Sequence, residues 1–167
     1  MKTSLVIVVL LVSAFAETYG EFRCPKFWTE FNGHCYRYFN QPRLNFDASQ
    51  SYCKNFRLDP DNCSCRRADL VTVDSSEENT FLHEWWKSVR EPIPDRQHVR
   101  IGYTDSGSEG RWRWIDGSTS SYTRWDSGQP DNAGGGQHCA VIWKTTSDFG
   151  KWDDEECSRT RAFICEY

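Results

Sequence analysis

An unbroken apolar run, Leu5-Val6-Ile7-Val8-Val9-Leu10-Leu11-Val12, follows the positive Lys2 and precedes the small residues Ala14 and Ala16. Charge, apolar core and A-x-A spacing in that order predict a secretory signal peptide over residues 1–16, with cleavage after Gly20 (residues 1–20) as the alternative. The run falls well short of the roughly 20 residues that span a bilayer, and no second one follows, so a secreted, soluble mature chain is expected. Between Cys24 and Asn40, Phe27, Trp28, Phe31, Tyr36, Tyr38 and Phe39 surround Asn32-Gly33, which predicts short extended pieces folded as a hairpin. Asn45 is placed to cap a helix from Phe46 to about Phe56, with Phe46, Gln50, Cys53 and Lys54 on one face and Cys53 inward. The stretch from Arg57 to Arg67 is rich in turn formers and reads as an insertion. Leu70-Val71-Thr72-Val73 predicts a short strand, and Ser75 with Glu78 a capping box opening a second helix. That helix carries Phe81, Leu82, Trp85, Trp86 and Val89 on one side and ends before Pro92. Beyond Arg100 the helical period disappears. Val99–Tyr103, Arg111–Ile115, Ala140–Trp143 and Ala162–Cys165 read as strands, and a long Gly/Ser/Asp-rich loop spans Asp116 to His138. Helices early and strands late predict an α+β domain of two helices, small antiparallel sheets and a long loop region. Loops of that length in compact domains are usually functional.

Composition adds the compartment. Eight cysteines lie beyond the predicted cleavage point, so an oxidising route makes disulfides the default and the fold disulfide-stapled. Zinc is the competing use of Cys63-Ser64-Cys65, but no second pair at finger-like spacing completes four ligands. Twenty basic against 24 acidic residues give a net −4 with no basic run, which argues against nucleic acid or an anionic membrane as a partner.

The candidate chemistry sits in the loop-rich half. Gln129-Pro130-Asp131-Asn132, Gln137 and Asp153-Asp154-Glu155-Glu156 gather oxygen donors on both sides of the strand Ala140–Trp143. Hard, oxygen-only, partly anionic ligands suit Ca²⁺, which takes roughly six to eight oxygens. A divalent ion would offset the repulsion among these carboxylates and fix a glycine-rich segment with little apolar area of its own.

The chain resembles the C-type lectin family from Cys24 to Cys165. The resemblance rests on Cys24-Pro25, Trp28 and Cys35-Tyr36, which look like the N-terminal hairpin of the long form, and on Ala68-Asp69-Leu70-Val71 with Ser76-Glu77-Glu78-Asn79. It continues through Ile101-Gly102, Glu109-Gly110-Arg111-Trp112-Arg113-Trp114-Ile115-Asp116-Gly117, Trp125 and Gly128-Gln129-Pro130-Asp131-Asn132. Cys139, Trp152-Asp153-Asp154, Cys157 and Phe163-Ile164-Cys165-Glu166 complete it. Arg100 departs from the aromatic usual at its position. The resemblance implies a single lectin-like domain over residues 17–167 with bridges Cys24–Cys35, Cys53–Cys165 and Cys139–Cys157. Cys63 and Cys65 are left over, either to close a C-x-C ring or to reach another chain and link a homo-oligomer covalently. The sequon Asn62-Cys63-Ser64 overlaps them.

The resemblance further implies that Gln129, Asp131, Gln137, Asp153 and Asp154 bind the principal Ca²⁺ and the sugar, with the peptide before Pro130 cis. In this family two neighbouring sugar hydroxyls complete the ion's coordination. Each hydroxyl accepts a hydrogen bond from an amide and donates one to a carboxylate. The order Gln-Pro-Asp goes with galactose-type ligands, and Glu-Pro-Asn with mannose. Gln137 and Asp153, however, exchange acid and amide in the same sense at the second pair, which restores the near-symmetry of the mannose arrangement. No aromatic follows the tripeptide in Asn132-Ala133-Gly134-Gly135-Gly136 to stack on a sugar face; Trp143 or Trp152 is the substitute, unless both are core. An auxiliary Ca²⁺ site is drawn from Asp105, Glu109, Asn132 and Gln137, with His138 in place of its usual further acid. The expected function is therefore a secreted Ca²⁺-dependent lectin for galactose-type or mannose-type glycans, acting in innate immune recognition or agglutination. Its competitor is a lectin-like module for protein, mineral or ice surfaces. An enzyme is not expected, because carboxylates committed to Ca²⁺ stay ionised and cannot supply a glycosidase acid. His34 and His98 fall in loop-like sequence and His83 on the second helix's flank, where exposure is expected.

Overall fold

The computed structural model describes residues 24–57, 66–89, 98–143 and 150–167. The signal peptide over 1–16 or 1–20, the sequon, Cys63, Cys65 and Pro92 lie outside the described residues. The ends of the turn-rich insertion meet in an antiparallel bridge between Arg57 and Arg67.

The chain opens with a hairpin of β1 (Thr29–Phe31) and β2 (His34–Leu44). Its two-residue turn has Asn32 at φ 49° and Gly33 at φ 81°, the left-handed pair that matches the twist of the flanking strands. A Cys24–Cys35 disulfide ties the hairpin down. Helix α1 (Phe46–Cys53) is capped as expected by the Asn45 side chain, which accepts from the Ala48 amide at 2.9 Å. It stops short of Phe56. The amides of Asn55 and Phe56 turn back to the carbonyls of Tyr52 and Cys53, which lets Phe56 pack against Trp28, Phe39 and Tyr52.

Helix α2 (Ser76–Val89) uses its capping residues in a shifted form. The Glu78 amide donates to Ser75 Oγ, but the Glu78 carboxylate accepts from the Asp74 amide at 2.8 Å and the Tyr36 hydroxyl at 2.6 Å. Burial pushes the Glu78 carboxyl up to about 7 despite those two bonds. Leu82 and Trp86 are fully buried, whereas Val89, expected on the same face, is exposed.

The strands among the described residues form one sheet rather than several small ones, in the order β1-β2-β8-β4-β6-β7, where β4 is His98–Thr104, β6 Cys139–Trp143, β7 Trp152–Glu155 and β8 Arg161–Glu166. Two short strands branch from it: β3 (Asp69–Leu70) pairs β8, and β5 (Arg113–Trp114) pairs β4. All pairings are antiparallel except β4 with β8. The strands read at Leu70–Val73 and Arg111–Ile115 are thus shorter in the ladder, yet Val71 and Val73 remain fully buried. Gly102 allows their approach: a Cβ there would stand 2.7 Å from the Leu70 carbonyl oxygen.

The Cys53–Cys165 disulfide joins α1 to β8 across a sequence separation of 112, and Cys139–Cys157 joins the start of β6 to the segment after β7. The three bridges among the described residues are those implied by the resemblance. One core cluster centres on Trp86, Tyr103, Trp114 and Trp152, a second on Phe39, Phe46, Phe163 and the disulfides. Between them they fix β6 and β7, and so the platform on which the long loop rests.

Candidate functional site

In the β6–β7 ladder, Asp154 stands opposite Ala140 and Asp153 opposite Val141. Asp154 is fully buried, and its two carboxylate oxygens accept from the backbone amides of Asp131 (3.0 Å) and Asn132 (2.9 Å). One strand carboxylate thereby pins the loop at the residues expected to bind a ligand. The Gln129–Pro130 peptide is cis, as the resemblance implied; Gln41–Pro42 is cis as well. Asp131 Oδ1 and Gln137 Oε1 converge on one donor, the Ala133 amide, at 3.0 and 2.7 Å. The segment between them is a short 3₁₀ turn, Ala133–Gly135, whose residues are all exposed.

The electrostatics of this cluster suit a cation. Burial, helped by the charges of Asp154 and Asp131, pushes the Asp153 carboxyl up to about 6 against the pull of His98. Gln129 Oε1 is buried and accepts no hydrogen bond, which is costly for an amide oxygen unless something electropositive meets it. An orphaned amide oxygen and mutually repelling carboxylates fit the oxygen set that Ca²⁺ requires.

The auxiliary candidates do not assemble as one oxygen cage. Asn132 Oδ1 accepts from the Gln137 amide (2.9 Å), so that side chain closes the loop locally, as does Gln137. Asp105 and Glu109 instead meet at His138, whose Nδ1 lies 3.1 Å from Asp105 Oδ1 and 3.2 Å from Glu109 Oε2.

The sequence profile of the Lectin C-type domain matches residues 42–167. The chain belongs to the C-type lectin domain family. It is 35% identical over 164 residues to the alpha-N-acetylgalactosamine-specific lectin of Patiria pectinifera, covering 95% of this chain and 92% of that one. It is 29% identical over 163 residues to a C-type lectin mannose-binding isoform of Oxyuranus scutellatus, covering 97% and 95%. Among solved structures it is similar to C-type lectin CEL-I of Cucumaria echinata, with TM-score 0.74 and 28% identity over 86% of this chain and 96% of that one.

Within this C-type lectin domain the remaining candidates sort by burial. Trp152 is fully buried and donates its indole N–H to Asn79 Oδ1 at 2.8 Å, so it is core and not a sugar platform. Trp143 is partly buried, edge-on to His98. His83 corrects the expectation of exposure: it is 2% exposed, where Gly150 packs over α2 beside Asn79. His34 and His98 head β2 and β4 and approach Glu166 (2.6 Å) and Glu155 (3.3 Å).

Sequence reasoning missed one feature beside the site. Arg100, marked only as a departure from an aromatic, is fully buried, and its Nη2 lies 2.9 Å from Glu155 Oε1 while donating to the Arg159 carbonyl at 3.1 Å. Arg161 also donates to Glu155, at 2.7 to 3.0 Å. Burial opposes the Glu155 charge, but hydrogen bonds from His98 and Arg161 and the charges of Arg100 and Arg161 outweigh it and hold the carboxyl down at about 2. Glu155 follows Asp154 directly, so this ion network anchors the strand that carries Asp153 and Asp154.

Proposed function

We propose that the chain is a secreted Ca²⁺-dependent lectin for galactose-type sugars, held by Gln129, Asp131, Gln137, Asp153 and Asp154. The observation that carries this reading is the buried, donor-free Gln129 Oε1, two residues before the first of the amides that Asp154 pins, in a loop whose Asp131, with Asp154, adds to burial in raising the pKa of Asp153. The chemistry that Ca²⁺ supplies when bound is a set of coordination positions for two neighbouring sugar hydroxyls. The protein's own part is to align amides as donors and carboxylates as acceptors around them, which sets the orientation of the hydroxyls accepted. The apolar leader Leu5–Val12 and the three disulfides support secretion, and no helix among the described residues is long and apolar enough to cross a membrane. The alpha-N-acetylgalactosamine-specific relative supports the galactose-type assignment.

A mannose-type reading draws on the second exchanged pair, Gln137 and Asp153, and on the mannose-binding relative. The exposed Ala133–Gly135 turn offers no ring to a sugar face, so single-site affinity is weak and multivalent display supplies avidity. The double change Gln129→Glu with Asp131→Asn separates the two readings. It is expected to turn preference from galactose-type to mannose-type sugars by about tenfold or more, the worth of one well-placed hydrogen-bond pattern. Competitive elution with the two sugar classes measures it, and an unaltered preference would assign selectivity to Gln137 and Asp153 instead.

A further inference from the structure

We infer that Asp105, Glu109 and His138 form a metal centre of a second class, for a borderline divalent cation of the zinc type rather than for calcium. This inference stands apart from the sugar site and does not rest on it. The two inner ligands are placed by the sheet: Thr104 pairs with Cys139 in the β4–β6 ladder, so Asp105 and His138 leave adjacent strand ends side by side. Asp105 is 1% exposed, with Oδ2 fixed by the Gly110 amide at 2.7 Å, which leaves Oδ1 directed at the imidazole. The His138 carbonyl accepts from Thr104 Oγ1 (2.6 Å) and the Asp105 amide (3.2 Å), and its own amide donates to the Glu155 carbonyl (3.1 Å). Glu109 returns over the pair on a turn closed by the Ser108 amide on the Asp105 carbonyl, and is exposed, which leaves an entry path.

Three features select the ion. The donors are two carboxylates and one imidazole nitrogen, and nitrogen favours zinc over calcium. Three protein ligands with one open position match a four-coordinate ion, whereas calcium needs roughly six to eight oxygens, and the nearby Asn132 and Gln137 oxygens are taken up by backbone amides. The His138 nitrogen lies 3.1 and 3.2 Å from the two carboxylate oxygens, and all three ligand atoms fall within 4.8 Å of one another. Ligands at about 2.05 Å from a tetrahedral ion are about 3.3 Å apart, which both His138 distances match to within a few tenths of an ångström, and the exposed Glu109 side chain can close on Asp105 to complete the third edge.

The test is calorimetric titration of Zn²⁺ into the intact disulfide-bonded chain in the presence of excess Ca²⁺, with His138→Asn and Glu109→Gln compared. One equivalent of Zn²⁺ is expected to bind in wild type, and at least about tenfold more weakly in each variant. Co²⁺ is expected to give the intense visible absorption of a four-coordinate centre in wild type only. Glu109 is exposed, so its variant reports on the ligand without risk to the fold; circular dichroism checks the His138 variant. Equal Zn²⁺ uptake by wild type and both variants, displacement of Zn²⁺ by Ca²⁺, or no uptake by the folded chain would each overturn the assignment.

Discussion

Replacing Asp154 with alanine is expected to abolish Ca²⁺-dependent retention on a sugar matrix while leaving the domain folded. The buried carboxylate does two things at once. It contributes one of the charges grouped with Asp131 and Asp153, and it accepts the amides of Asp131 and Asn132 that shape the loop. Alanine removes both, so Ca²⁺ affinity should fall by at least about a hundredfold, beyond the ten- to hundredfold typical of losing an outer partner. Two backbone donors also lose their acceptor, at a cost of about 1–3 kcal/mol, which the three disulfides and both core clusters can absorb. Asp154→Asn separates the two roles, because it keeps an acceptor oxygen and loses the charge. It should match alanine in lost retention but fall less in melting temperature. Unchanged retention in either variant would contradict the site.

The second large effect concerns folding. Glu155→Ala leaves the fully buried Arg100 without its counter-charge, and breaking a buried pair in this one-sided way costs about 3–5 kcal/mol. For a domain of this size that lowers the melting temperature by on the order of 10 °C. Replacing both partners, Arg100→Met with Glu155→Leu, should recover most of the loss, since the buried charge goes with its partner. The pH dependence has a definite sign. The Glu155 carboxyl sits at about 2 in the folded chain against an ordinary 4.5, so its ionised form stabilises the fold fully above 4.5. That contribution is lost as pH falls from 4.5 toward 2. Denaturation followed over this range should show the acid loss in wild type and a shallower one in Glu155→Ala; parallel curves would mean that the network contributes nothing to stability.

The parts of the fold written in local chemistry were legible. Asn45 as a cap and Asn32-Gly33 as a turn each act within a few residues of themselves, and each appears where the pattern put it. What could not be read depends on distant neighbours. Alternation along Val99-Arg100-Ile101 would send Arg100 away from the core, but every residue of β4 from Val99 to Thr104 is buried, so both of its faces are covered and the charge meets Glu155 from a strand 55 positions later in the chain. His83 is buried where Gly150, 67 positions later in the chain, lies on α2, which no helical period records. The auxiliary residues shared a plausible composition, yet short backbone bonds drew Asn132 and Gln137 into the loop and left the imidazole between the two acids. Side-chain oxygens in a glycine-rich loop have backbone amides as close competitors, and spacing alone does not say which will win.

The most direct measurement of the central claim is retention of the purified chain on N-acetylgalactosamine and mannose matrices, each with Ca²⁺ and with a chelator. Retention on the N-acetylgalactosamine matrix that requires Ca²⁺ and is released by the chelator is the predicted result. Retention indifferent to the chelator, or none on either matrix at high ligand density, would contradict a Ca²⁺-dependent sugar site and favour a surface-binding module on the same fold.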